Sequence, residues 1–317
     1  MIDLDLDDLD LEPQLARLCR AIADRPDLAF LLDRPASLDL MRRAWLPLAA
    51  QLAHLRSQSD RPIVQGILGV QGAGKTTLCA GLVLALECCW GLQALSWSID
   101  DLYKTYADRQ RLRQADPRLI WRGPPGTHDV TLGIETLQRL RQPSGDRVPI
   151  PRFDKSLHQG QGDRVDPDWI EPVDLVLFEG WFVGTRPIDC EAIVHWPEPI
   201  TSLADQAFAR DCNDRLRDYL PLWDLCDRLL ILQPTDYRLS KQWRQQAERE
   251  RIASGGQGLS DAEISEFVDY FWKALHPQLF IEPLAIAPEH QPPINGVWQF
   301  NADRQLQPVM MVYSHFK

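Results

Sequence analysis

A chain of 317 residues has room for about two domains, or for one large α/β domain with extensions. Hydrophobic residues at 44% and charged residues at 25% are the balance of a soluble globular protein and exclude a disordered or fibrous chain. With 45 acidic residues against 34 lysines and arginines the net charge is −11, so neither nucleic acid nor an anionic membrane is an expected partner, and any anionic ligand must be held by a local basic pocket.

The chain begins on an acidic stretch, the opposite of a secretory or transit signal. Its seven cysteines include no C-x-x-C pair and read as reduced thiols of a cytoplasmic protein. The longest apolar run, residues 78–90, is short for a membrane span and contains Glu87. From Leu38, apolar residues recur through Met41, Ala44, Trp45, Leu48, Leu52 and Leu55 at spacings of three and four, which predicts an amphipathic helix kinked at Pro47. Residues 1–60 are thus expected as a helical N-terminal extension ending in a linker, and residues 61–317 as the main domain. In that domain strands are predicted at 63–68, 93–99, 173–178 and 228–232, and helices at 75–87, 132–141, 203–219 and 236–253. Ser260 and Glu263 form a capping box for one helix more. Strands alternating with helices predict an α/β fold with a mostly parallel sheet, helices on both faces, and ligands at the carboxyl ends of the strands.

The strongest motif follows the first of these strands. Gly69-Val70-Gln71-Gly72-Ala73-Gly74-Lys75-Thr76 is a full G-x-x-x-x-G-K-[ST] sequence between a strand and a helix. Glycines let the backbone wrap phosphate oxygens, successive N–H groups form an anion nest, and the helix points its positive end at the same place. Gly69, Gln71, Gly72, Ala73, Gly74, Lys75, Thr76 and Thr77 are therefore the expected ATP site, with Lys75 on the β- and γ-phosphates and the Thr76 hydroxyl on Mg²⁺.

Carboxylates end two other strands. Asp100 and Asp101 follow Ser98-Ile99, and there one could orient an acceptor hydroxyl and receive its proton late in phosphoryl transfer, provided that strand neighbours the first. Aspartate is also a common helix cap, so the pair has an ordinary structural reading too. Glu179 ends the apolar strand Leu175-Val176-Leu177-Phe178 where a Walker B aspartate would stand, and is the candidate second oxygen ligand of Mg²⁺.

Further motifs follow in order: Ser98-Ile99-Asp100-Asp101-Leu102-Tyr103, Arg122-Gly123-Pro124-Pro125-Gly126-Thr127-His128-Asp129, Pro151-Arg152-Phe153-Asp154-Lys155-Ser156, Gly160-Gln161-Gly162-Asp163-Arg164 and Phe178-Glu179-Gly180-Trp181. Over about residues 60–290 this series resembles the D-glycerate 3-kinases of plants, fungi and cyanobacteria, within the uridine kinase, phosphoribulokinase and pantothenate kinase group of P-loop kinases. The resemblance implies ATP-dependent phosphorylation of glycerate to 3-phosphoglycerate. It implies Asp100 as catalytic base, Asp129 as a substrate ligand, and His158, five positions after Phe153, as the group's substrate histidine. Phe153 stands where many of the wider group have tyrosine, so no polar role is carried over to it.

Glycerate is a small anion with two hydroxyls, and its carboxylate needs a cation. Arg122, Lys155 and Arg164, all in Gly- or Pro-bearing loops, are the candidates, with His128, Asp129, Asp101 and Tyr103 available to the hydroxyls. Arg238, Lys241, Arg244, Arg249 and Arg251 crowd one helix ahead of Gly255-Gly256-Gln257-Gly258. The resemblance implies a helical lid here, about 236–258, closing over ATP with Lys241 or Arg244 on the phosphates. Arg244 with Glu248 could instead be an ordinary intrahelical pair. The expectation is a monomer acting on glycerate. The rivals are another acceptor of the same kinase group (pantothenate, a nucleoside or a sugar phosphate) and a nucleotide-dependent switch.

Overall fold

Strands β1 (Ile63–Gly69), β2 (Ala94–Ser98), β3 (Val148–Asp154), β4 (Asp163–Ile170), β5 (Leu175–Gly180), β6 (Arg228–Pro234) and β7 (Ile294–Phe300) make two sheets in the computed structural model. The model describes residues 10–142, 145–253, 258–286 and 290–307. The main sheet is wholly parallel, in the order β2-β5-β1-β6-β7. Strands β1, β5 and β6 are buried along their whole length, as central strands covered on both faces must be, which is why they read as unbroken apolar runs. The chain is an α/β protein with a P-loop kinase topology. Among the described residues no helix is long and apolar enough to cross a membrane.

The helices are α1 (Glu12–Ala23), α2 (Pro35–Leu40), α3 (Leu46–Ser57), α4 (Lys75–Trp90), α5 (Tyr106–Ala115), α6 (Val130–Leu140), α7 (Leu203–Arg215), α8 (Leu220–Trp223), α9 (Leu239–Ala253) and α10 (Asp261–Ala274). Helix α4 follows the phosphate loop and is apolar nearly all round, because α1 and α3 cover its outer side. Leu15, Leu18 and Ile22 are the buried stripe of α1. Trp45 lies flat on Gly81 of α4, where a Cβ would sit 2.1 Å from its ring. The N-terminal helices thus share one continuous core with the main sheet. Residues 35–57 run as one continuous helical stretch, and the predicted irregularity at Pro47 takes the form of a π turn over Met41–Trp45 just before it, which accommodates a proline that has no N–H to give.

The sequence reading is corrected at three places. The stretch 152–164 around Lys155 and Arg164, expected as a loop, belongs to the antiparallel hairpin β3–β4, with Lys155 in its turn and Arg164 on β4, and this hairpin pairs with no strand of the main sheet. Strand β7, unforeseen, closes the far edge. Strand β2 does not neighbour β1, because β5 lies between them.

Candidate active site

The phosphate loop turns on Gly72 (φ 77°) and Gly74 (φ 84°), values that favour glycine, and α4 begins at Lys75. The nest and the helix N-terminus therefore face one spot. Lys75 Nζ is folded back, donating to the carbonyls of Gly69 (2.8 Å) and Val70 (3.2 Å). Thr76, in the first turn of α4, donates through Oγ1 to Glu179 Oε1 at 3.3 Å. Burial pushes the Glu179 carboxyl up; Lys75 opposes the shift and Asp100 adds to it. Ile67 and Ser98 flank Glu179 in register, so β5 carries this acid between the phosphate loop and the aspartate turn. A hydroxyl and a carboxylate beside an anion nest are the hard donors that Mg²⁺ takes together with phosphates and water, so these residues fit Mg·ATP. Ala73 N–H donates to the Val70 carbonyl, the side-chain oxygen of Gln71 is buried without a partner, and Thr77 is half-buried in the first turn of α4.

After β2 the chain makes one 3₁₀ turn, Ile99–Leu102, capped by Ser98. There Asp100 accepts from the Tyr103 phenol at Oδ1 (2.8 Å) and from Lys155 at Oδ2 (2.6 Å). Burial would raise this carboxyl, but Lys155 and Tyr103 more than offset it and hold it below the ordinary range. Asp101 has a different job. Its oxygens accept from Arg152 (3.0 Å) and from the Phe153 backbone N–H (3.2 Å), which ties β3 to the turn.

The hairpin β3–β4 brings the predicted cations to the same mouth. Its tip turns through His158, Gln159, Gly160 and Gly162, all at positive φ. His158 stacks on Tyr106 with ring centres 4.0 Å apart and its Nε2 lies 3.1 Å from Asp163. Arg164 reaches Asp129 (3.1 Å) and the Tyr103 carbonyl (3.2 Å), while Asp129 also caps α6. Arg122 donates to the carbonyls of Gly160 (2.8 Å) and Gln161 (3.0 Å) and lies over the rings of Tyr103 and Phe153. Arg109, which the sequence reading missed, adds a second guanidinium over Phe153 and donates to the carbonyls of Lys104, Gln161 and Gly162. Its position one turn past the Thr105 helix cap is the only local signal.

His128 is corrected to a core residue. It is 1% exposed, stacked on Tyr103 at 4.6 Å, and its Nδ1 lies 2.9 Å from the Tyr219 hydroxyl. That hydroxyl also accepts from Gly126 N–H. Burial keeps the imidazole neutral down to about pH 3.

Helix α9 lies against the phosphate loop. A Cβ on Gly72 would meet the Trp243 Cβ at 2.9 Å and the Arg244 backbone nitrogen at 3.6 Å, so the helix rests on the phosphate loop. Lys241 is drawn to Asp269 of α10 (2.7 Å) and Arg244 to the buried Glu248 (3.3 Å). Residues 254–257 of the expected hinge lie outside the described residues.

A scan of family models matches none to this chain. The chain is 33% identical over 237 residues to the chloroplastic D-glycerate 3-kinase of Arabidopsis thaliana, covering 70% of this chain and 49% of that protein, so it spans about half of that relative's length. It is 34% identical over 225 residues to the uncharacterized kinase mug58 of Schizosaccharomyces pombe, covering 67% of this chain and 79% of that one. Among solved structures, the D-glycerate 3-kinase of Cryptococcus neoformans superposes with a TM-score of 0.73 at 28% identity, covering 84% of this chain and 97% of that chain. With a phosphate loop, a buried acid between it and an aspartate turn, and these relatives, the chain belongs to the D-glycerate 3-kinase family of P-loop kinases.

Proposed function

We propose that the protein transfers the terminal phosphoryl group of ATP to the 3-hydroxyl of D-glycerate. The observation that carries this reading is the company around Asp100: Lys155 on its carboxylate, Tyr103 beneath, and Arg122 and Arg164 close by, a cationic mouth on a chain of net charge −11. A carboxylate-bearing alcohol suits such a mouth better than a neutral nucleoside does.

Bound Mg·ATP would supply the phosphoryl group and leave as ADP with the electron pair of the broken P–O bond. The loop N–H groups and Lys75 hold the phosphates, and Thr76 and Glu179 hold the metal. Asp100 orients the acceptor hydroxyl and takes its proton late, as a weak base must. Arg122, Lys155 and Arg164 offer cations to the carboxylate, with Asp129 on a hydroxyl. Helix α9 excludes water, which otherwise competes as acceptor.

The test is ADP release with ATP, Mg²⁺ and a panel of D-glycerate, pantothenate, uridine and ribulose 5-phosphate, with the product read by ³¹P NMR. The expected product is 3-phosphoglycerate. Robust turnover of uridine with none of glycerate would overturn the acceptor, and equal hydrolysis with and without any acceptor would favour a nucleotide switch.

A further inference from the structure

Lys155 lies on the carboxylate that must act as base. Its ammonium donates to Asp100 Oδ2 at 2.6 Å while Tyr103 holds Oδ1 at 2.8 Å. A carboxylate has lone pairs to spare for a third donor, but a cation on Oδ2 covers its open side and weakens it as a proton acceptor. Something must give before an alcohol can be activated, and the two partners differ in how easily they leave. Tyr103 is 4% exposed and wedged between the rings of His128 and Phe153. The Lys155 side chain is 57% exposed on a flexible stem just past the end of β3. The backbone beyond it is pinned, since Arg109 and Arg122 grip the carbonyls of residues 160–162. The lysine can therefore swing while the hairpin stays.

An anion is what would draw it away. Asp129 is already bonded to Arg164, and Glu179 to Thr76. Of the two anions that arrive, the triphosphate is met by the loop N–H groups, Lys75 and its own Mg²⁺, so the acceptor's carboxylate is the one that comes unpaired. We propose that Lys155 is a substrate-sensing specificity residue: it masks Asp100 until the carboxylate of a hydroxy-acid acceptor takes its ammonium, so that the base is released only when an acceptor of the right charge is seated. This rests on the reading of the acceptor as a hydroxy acid. It gives the hairpin lysine a double duty, suppressing transfer to water and selecting carboxylate-bearing alcohols over neutral polyols.

The test compares wild type with Lys155→Met, which keeps the stem and removes the charge at an exposed position. Three rates are read: kcat/KM for D-glycerate, kcat/KM for glycerol (the same hydroxyls without the carboxylate), and ATP hydrolysis with no acceptor. Losing one charged contact should lower the glycerate rate by about 10- to 100-fold. Unmasking should raise the glycerol and water rates several-fold in the same variant. A lysine that only binds carboxylate would lower the glycerate rate and leave the other two unmoved. A lysine that only supports the hairpin would lower all three together. Either result overturns the proposal. Wild-type turnover of glycerate checks the parent reading separately; were it absent, acceptor-independent hydrolysis in Lys155→Met would still decide whether Asp100 is masked.

Discussion

Gly81→Ala inverts an ordinary expectation. In a helix interior, alanine is favoured over glycine by about 1 kcal/mol. Here the new methyl would sit 2.1 Å from Trp45 Cζ3 and 2.5 Å from Cε3. The ring would have to recede by about 1.3 Å to reach the 3.4 Å of ordinary contact. It has nowhere to go, being 3% exposed and built into the core that α1, α3 and α4 share. Overpacking costs about 1–3 kcal/mol, and a 2.1 Å approach to a ring that cannot recede belongs at the upper end, so after the helix gain is subtracted the variant should be about 2 kcal/mol less stable than wild type. Urea unfolding followed by circular dichroism measures this. Trp45→Leu alone should also destabilise, by leaving a hole, but the double variant should be better than the sum of the two by at least about 1 kcal/mol, because leucine gives the methyl room. A Gly81→Ala protein as stable as wild type, or an additive double variant, would show that the N-terminal helices do not pack on α4 as described.

Three other outcomes follow from the site and its supports. Asp100→Asn should keep ATP binding and lose turnover by a factor on the order of 10²–10⁴; near-normal turnover, measured by ADP release, removes Asp100 as base. Arg109→Lys keeps the charge but loses the fork that grips the hairpin tip, so the KM of the acceptor should rise about tenfold while that of ATP stays unchanged, and a shift in the ATP KM instead would contradict this role. Asp116, held by Arg118 and Arg215, is a carboxyl depressed below its ordinary value, so it contributes stability above about pH 4 that is lost as pH falls through its folded value; Asp116→Asn should cost about 2 kcal/mol at pH 7 and converge with wild type in strong acid, as urea midpoints across pH would report.

The nucleotide half of the site was legible because its physics is local. A phosphate loop needs its glycines, lysine and threonine within a few positions, and β1 and α4 flank it as read. Glu179 was found for the same reason, at the end of an apolar run. The acceptor half was legible only as motifs. Pro149, Pro151 and Pro167 hid β3 and β4, since proline argues against a strand unless the strand is a free pair at an edge, as this one is. The insertion of β5 between β1 and β2 is a non-local fact that no spacing reports. His128 looked like a ligand because its residue type binds ligands, and only packing shows that it is walled in by Tyr103 and Tyr219. Arg109 was invisible because two of its three carbonyl partners lie more than fifty positions away.

The separateness of the β3–β4 hairpin has an evolutionary corollary. An arm with its own hydrogen-bond ladder can be rewritten without disturbing the registers that seat the phosphate loop. Lys155 and Arg164 ride on this arm, whereas Asp100, Arg122 and Asp129 do not, so rewriting some twenty residues would change the cations offered to an acceptor while the acid and the phosphate loop stay in place.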